Sequence, residues 1–146
     1  NGILAGLASR DLAKAQAMAA KFGALKAYGS YEALLADKDI DGVYIPLPTS
    51  QHIEWTLKAI AAGKHVLVEK PVATSLDEAR MIVEEAARFD SILMVGHTFE
   101  FNPVVRELRR RIGSGSGSIG PVWRALCRNH ALSLSAWSTC IAVQQE

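Results

Sequence analysis

Three short runs place groups able to handle protons and phosphates directly after apolar segments. Glu69-Lys70-Pro71 follows Val66-Leu67-Val68, so an acid and a base stand at the mouth of a buried segment whose exit is fixed by a proline. An ammonium there can polarise or protonate an oxygen, although by position alone a strand-end lysine is more often solvated than catalytic. Pro46-Leu47-Pro48-Thr49 follows Val43-Tyr44-Ile45, with His52 three residues beyond. This run has few backbone donors and cannot continue a ladder, which suits a crevice wall. Ser9-Arg10 ends the apolar run of residues 3–8. A hydroxyl and a guanidinium suit a ribose 2′-phosphate through charge-assisted hydrogen bonds, whereas a carboxylate would suit free ribose hydroxyls. The competing reading makes Ser9 a helix cap and Arg10 a solvated side chain, and position alone leaves the two even.

The elements that must carry these groups alternate between short apolar runs and helical periods. Residues 3–8 read as a strand, and Leu12, Ala15, Ala19 and Phe22 then recur at helical spacing before Gly23. Residues 25–28 read as a short strand, and Ser30 caps a brief helix carrying Leu34 and Leu35 ahead of the strand at residues 43–45. Thr49 or Ser50 is expected to cap a helix with Ile53, Leu57, Ile60 and Ala61 on one face, closed by Gly63 in the left-handed conformation. After the strand at residues 65–68, Ser75 and Glu78 have capping-box spacing, and Ala79, Ile82, Val83 and Ala86 form the expected buried stripe before a strand at residues 92–95. Nearly continuous apolar strands alternating with amphipathic helices predict a doubly wound α/β domain, its parallel sheet covered on both faces. In that arrangement a ligand lies beyond the carboxyl ends of the strands, where the three chemical runs fall.

Asn102 and Pro103 begin a further helix with Val105, Leu108 and Ile112 inward and Arg106, Arg109, Arg110 and Arg111 outward, which reads as a solvated basic face. Residues 113–118 have the composition of a flexible linker, residues 122–128 alternate like a strand of another sheet, and residues 129–146 show no period and receive no assignment. The expected organisation is an α/β domain at 1–101, a connecting helix and linker at 102–118, and the start of a second, α+β domain at 119–146.

Composition narrows the function classes. The 146 residues are 49% hydrophobic and 21% charged, enough to bury a core, and sixteen basic against fifteen acidic side chains leave a net charge of +1. That balance gives no electrostatic reason to expect nucleic acid or an anionic membrane as partner, and no aromatic residues interleave the arginines. A small, roughly neutral partner fits better. Cys127 and Cys140, with His130 near the first, make neither a disulfide framework nor a zinc site, so reduced cytoplasmic thiols and no metal are expected. No apolar run approaches ~20 residues, and no charged leader with a cleavage site is visible.

The run from Gly63 through Lys64-His65-Val66-Leu67-Val68-Glu69-Lys70-Pro71, preceded by Pro48-Thr49-Ser50-Gln51-His52 and followed by Gly96-His97-Thr98-Phe99 and Asn102-Pro103, resembles the glucose-fructose oxidoreductase, inositol dehydrogenase and rhizopine catabolism family (Gfo/Idh/MocA) over residues 1–128. An isolated Glu-Lys-Pro is weak evidence, whereas four motifs in order at strand ends are specific. The resemblance implies hydride transfer between NADP(H), or else NAD(H), and a sugar-like or polyol alcohol or carbonyl. It implies that Lys70 is the proton-handling lysine beside nicotinamide and substrate, and that Glu69 lines the cofactor pocket. Leu47, Pro48, Thr49 and His52 would belong to the loop passing the ribose and nicotinamide side, and Ser9 and Arg10 would form an NADP-type adenosine discriminator. His97, with Gly96, would close the far side of the nicotinamide site. Glu100 stands where the family often has arginine, so no substrate anion contact is expected there. A homo-oligomer is implied for the complete protein.

Two departures qualify the resemblance. The chain opens at the family's second strand, so the glycine-rich turn that holds pyrophosphate is expected to be missing, and its central strand with it, leaving two strand edges unpaired or meeting in a changed order. The family's Asp-and-His motif of the second domain is also not found. This chain alone is therefore expected to be inactive, and a noncatalytic dinucleotide-binding regulatory protein is the rival reading.

Overall fold

The computed structural model describes residues 2–113 and 140–145. The described residues fall into two units, residues 2–96 with 140–145, and residues 97–113. The first contains β1 (Gly2–Ala8), α1 (Leu12–Phe22), β2 (Lys26–Tyr28), α2 (Tyr31–Leu35), β3 (Gly42–Ile45), a 3-10 turn (Thr49–Gln51), α3 (His52–Ala61), β4 (His65–Val68), α4 (Leu76–Arg88), β5 (Leu93–Val95) and, from the far end of the chain, β6 (Cys140–Gln145).

The sheet runs β2-β1-β6-β3-β4-β5. β1 and β2 are parallel, as are β3, β4 and β5, in the doubly wound pattern expected. The central position was not expected. β6 lies antiparallel between β1 and β3, pairing Leu7 with Ile141 on one side and Tyr44 with Ile141 on the other. The edges of β1 and β3 are thus neither unpaired nor joined to each other, and part of the segment without a sequence assignment is a strand. The physical reason is that two apolar strands flanking a gap carry unmet backbone donors and acceptors, and any extended segment can satisfy both. The pairing with β1 is irregular between Leu4 and Gly6.

Helix positions follow their caps. Asp11, not Ser9, caps α1 by accepting from the Ala13 and Lys14 amides, and Gly23 closes it at φ 73°. Ser30 and Ser75 cap α2 and α4 as expected, while the Glu78 carboxylate accepts from the Thr74 amide and hydroxyl. No side chain caps α3; the 3-10 turn leads straight into it. Its buried stripe is His52, Trp55, Thr56, Ala59 and Ile60, with Ile53 and Leu57 half-buried and Ala61 exposed. The shift has a cause in packing, since Trp55 meets the Tyr31 ring edge-on at 4.8 Å, bringing α3 onto α2. On α4, Ile82 and Ala86 are buried as expected but Val83 is 60% exposed, and on α1 Leu12 and Phe22 are exposed beside buried Ala15 and Ala19.

The core lies on one face of β3 and β4, where Val43, Ile45, Val66 and Val68 pack with Leu34, Trp55, Ala59 and Ile60. On the alternate face Tyr44 and Leu67 are half-buried and Met94 is 45% exposed, so among the described residues that side of the sheet is not fully covered, contrary to the expectation of two covered faces. Buried Lys64 donates to the carbonyls of Asp37 (2.6 Å) and Ile40 (2.7 Å), tying the turn before β3 to the start of β4. Both strands are thereby brought to the same edge in fixed register.

The second unit contains a 3-10 turn (Thr98–Phe101) and α5 (Pro103–Gly113). Asn102 caps α5 through the Val104 amide, as its type and the following proline predict. Arg106 and Arg109 bond the carbonyl and carboxylate of Glu100, and Arg110 and Arg111 pair with Glu107. The arginine run is thus occupied by Glu100 of the preceding turn and Glu107 of its own helix, and Glu107 is held near pKa 2 by Arg110 first and Arg111 second. The expected strand at residues 122–128, the linker after Gly113, Cys127 and His130 lie outside the described residues. So does the side chain of Ile112.

Candidate active site

The parallel strands of the first unit end at one edge, and the first residues past β1, β3 and β4 are Ser9-Arg10, Pro46-Leu47-Pro48 and Glu69-Lys70. All three chemical runs therefore share the crevice edge, as the sequence leads one to expect for a ligand at a switch in strand order.

At the β1 end, Ser9 is buried, its amide donating to the Tyr28 carbonyl (3.1 Å) and its hydroxyl accepting weakly from the Asp11 amide (3.4 Å). Arg10 is exposed, and its side chain has no hydrogen-bond or ion-pair partner among the described residues. It lines a cleft of about 400 Å³ with Gly29, Ser30, Tyr31, Glu32, Gln51, Glu54 and Trp55. The two acids there share one ammonium, Lys58, which lies 2.6 Å from Glu54 and 3.8 Å from Glu32, over the Trp55 ring. Arg10 remains as the cation in this cleft without a partner among the described residues, available to an incoming anion.

At the β3 end, Leu47 is buried, Pro48 exposed and Thr49 half-buried. His52 is only 1% exposed, and its ring nitrogens face the carbonyls of Pro71 (2.8 Å) and Leu47 (2.6 Å). The ring joins the β3 loop to the turn after β4, so His52 serves the crevice by holding its walls and not by presenting an open surface.

At the β4 end, Lys70 is exposed, with no side-chain partner among the described residues, and the Lys70–Pro71 peptide is cis. The half-buried Glu69 accepts from the Tyr44 hydroxyl at 2.8 Å and, more weakly, from the Lys70 amide at 3.3 Å. Burial first, and then the carboxylate, push the Tyr44 phenol well above its ordinary range. Gly96 completes the setting: a Cβ there would meet the Glu69 carboxyl atoms at 3.1–3.2 Å. Gly96 belongs to a motif read in the sequence, but its fit against Glu69 was not foreseen, and Tyr44, Tyr31 and Trp55 were not singled out. Strand alternation held the signal for Tyr44, which is opposite Leu67 and diagonal to Glu69 on one face. His97, exposed, opens the second unit.

The fold and edge have counterparts among known proteins. A family model described as an oxidoreductase family with an NAD-binding Rossmann fold matches residues 2–97, and the chain belongs to that family. It is 41% identical over 115 residues to D-xylose 1-dehydrogenase (NADP(+)) 2 of Haloferax volcanii, which covers 79% of this chain and 35% of that protein. It is 42% identical over 117 residues to dTDP-3,4-didehydro-2,6-dideoxy-alpha-D-glucose 3-reductase of Saccharopolyspora spinosa, covering 78% of this chain and 33% of the other. The crystal structure of KijD10, a 3-ketoreductase from Actinomadura kijaniata in complex with NADP, superposes with a TM-score of 0.74 at 34% identity over 77% of this chain and 36% of that one. The chain thus spans about a third of the length of these relatives.

The described residues offer a dinucleotide groups at its two ends: the Arg10 guanidinium at one, the Glu69 carboxylate and Lys70 ammonium at the other. The middle fits less well. In a Rossmann sheet the pyrophosphate is held by a helix amino terminus after the central strand, whereas here the central strand runs the other way and presents its own amino end, Cys140 opposite Ala8, at the crevice.

Proposed function

We propose that this chain forms the cofactor-binding part of an oxidoreductase that moves hydride between NADP(H) and an alcohol or carbonyl carbon of a sugar-like substrate. The observation carrying this reading is that Arg10 and Lys70, neither with a side-chain partner among the described residues, stand at the same edge of the sheet, each at the carboxyl end of a strand, with Glu69 beside the lysine. Arg10 takes the 2′-phosphate by charge-assisted hydrogen bonds, and Glu69 accepts from donors near the nicotinamide. When bound, the nicotinamide supplies or accepts the hydride. Lys70 donates a hydrogen bond to the reacting oxygen, lending its proton as a carbonyl is reduced and recovering it as an alcohol is oxidised. Leu47, Pro48 and Thr49 wall the crevice between the two ends, with His52 bracing them. The named relatives act on xylose or on a dTDP-linked sugar by their names, which supports a sugar-like substrate; the regulatory reading has no comparable support. A cytoplasmic location and assembly into homo-oligomers complete the reading. No described helix is long and apolar enough to cross a membrane.

The test uses a chimera in which residues 2–113 replace the matching segment of the Haloferax volcanii relative, with D-xylose and NADP+ as probes. Lys70→Met keeps most of the side-chain length and removes the charge and every donor. Single-turnover hydride transfer, followed by nicotinamide absorbance, is expected to slow by roughly 100-fold or more while NADP+ affinity changes little. A rate within about threefold of the parent removes Lys70 from the mechanism, because a solvated strand-end lysine would leave chemistry intact.

A further inference from the structure

Glu69 can serve a ligand only if its carboxylate points at the crevice, and its neighbours determine whether it does. A carboxylate accepts from several directions, and on a strand end it is free to rotate unless those directions are occupied. Here three contacts restrict it. The Tyr44 hydroxyl donates to Oε1 at 2.8 Å from the neighbouring strand, the Lys70 amide leans on Oε2 at 3.3 Å, and Gly96 lets the carboxyl group lie against the end of β5, where any side chain would begin 3.1–3.2 Å from it. Gly96 is not among the residues with positive φ, so its backbone does not require glycine; the space beside Glu69 does.

We propose that Tyr44 is a positioning residue for cofactor binding, holding the Glu69 carboxylate against Gly96 so that its remaining lone pairs face the nicotinamide end of the crevice. This rests on the reading of Glu69 as a cofactor contact. Tyr44 itself need not touch the ligand, because it acts by fixing the rotamer of the group that does. A charge-assisted O–H···O contact is strong enough to bias that rotamer, and its loss leaves the carboxylate to be reoriented when the ligand arrives.

The experiment titrates the full chain with NADPH and, separately, with 2′,5′-ADP, which carries only the adenosine end, following amide 1H–15N shifts so that weak binding is measurable. Tyr44→Phe is expected to weaken NADPH about fivefold, the effect of one hydrogen bond, and to leave 2′,5′-ADP unchanged. Gly96→Ala, which displaces the same carboxylate by bulk, should reproduce this pattern. Glu69→Gln should weaken NADPH at least as much, and adding Tyr44→Phe to Glu69→Gln should have no further effect, since the two act through one group. If Glu69→Gln weakens NADPH while Tyr44→Phe does not, Tyr44 has no positioning role and the reading of Glu69 stands. If Glu69→Gln leaves NADPH binding unchanged, that reading fails and the proposal with it. Equal weakening of both ligands by Tyr44→Phe would mark a general structural defect and would also overturn it.

Discussion

Arg10 and Lys70 show what residue type and position reveal and where they stop. Both are legible in the sequence because each follows an apolar strand, and both are exposed and unpaired among the described residues, as a ligand-facing cation must be. The neighbouring Ser9 and His52 match the same motifs but are buried, and their hydrogen bonds run to the backbone. A motif match does not distinguish a side chain that meets the ligand from one that holds the wall. Arg10 gives a direct prediction. Arg10→Asp replaces a phosphate partner with a group that repels phosphate and accepts from ribose hydroxyls, so the ratio of NADP+ to NAD+ affinity should fall by roughly 10- to 100-fold, the range for a charge-assisted hydrogen bond. Affinities measured for both cofactors in the same preparation check it. An unchanged ratio would mean that Arg10 faces solvent.

Among the elements, strands β1 to β5 and the capped helices α2 and α4 were readable because their signals are local: apolar runs, Ser30, and Ser75 with Glu78 three residues on. The buried stripe of α3 was not, because it is set by the contact of Trp55 with Tyr31 on α2, which no local period encodes. The turn joining α2 to β3 is also held from outside its own sequence. Asp37 accepts from the Lys26 ammonium at 2.8 Å, the Tyr28 hydroxyl at 2.6 Å and the Asp39 amide at 2.9 Å. Lys26 first, then Tyr28, hold the Asp37 carboxyl well below the ordinary aspartate value of 3.8, and burial followed by the Asp37 contact pushes the Tyr28 phenol up to about 12. A carboxyl whose folded pKa is depressed stabilises the fold fully above its unfolded value, and this contribution is lost as the pH falls through that value towards the folded one. Thermal unfolding followed from about pH 5 down to about pH 2 should therefore show a smaller acid loss in Asp37→Asn than in the parent. Parallel acid profiles would mean that Asp37 is no better stabilised folded than unfolded.

For the molecule as a whole, the doubly wound order of five strands was legible, and so was the importance of the position between β1 and β3. Its occupant was not. Strand order depends on which distant segment meets a free edge, and β6, more than forty residues beyond β5, carries no alternation that marks it as the central strand. With β6 running antiparallel, the crevice receives a strand's amino end where a Rossmann pyrophosphate site has a strand's carboxyl end and a helix amino terminus. The central claim, that NADP(H) binds along this edge with its adenosine at Arg10 and its nicotinamide at Lys70, is tested most directly at that point. NADPH is titrated into this chain and into a version ending at residue 139 and joined before Gly2 to a parallel strand, glycine-rich turn and helix of Rossmann type, so that the added strand takes the place of β6. The account predicts that the extended version binds at least about tenfold more tightly, because the added helix terminus supplies the pyrophosphate donors between two ends that already fit. Equal affinities in the two would contradict it.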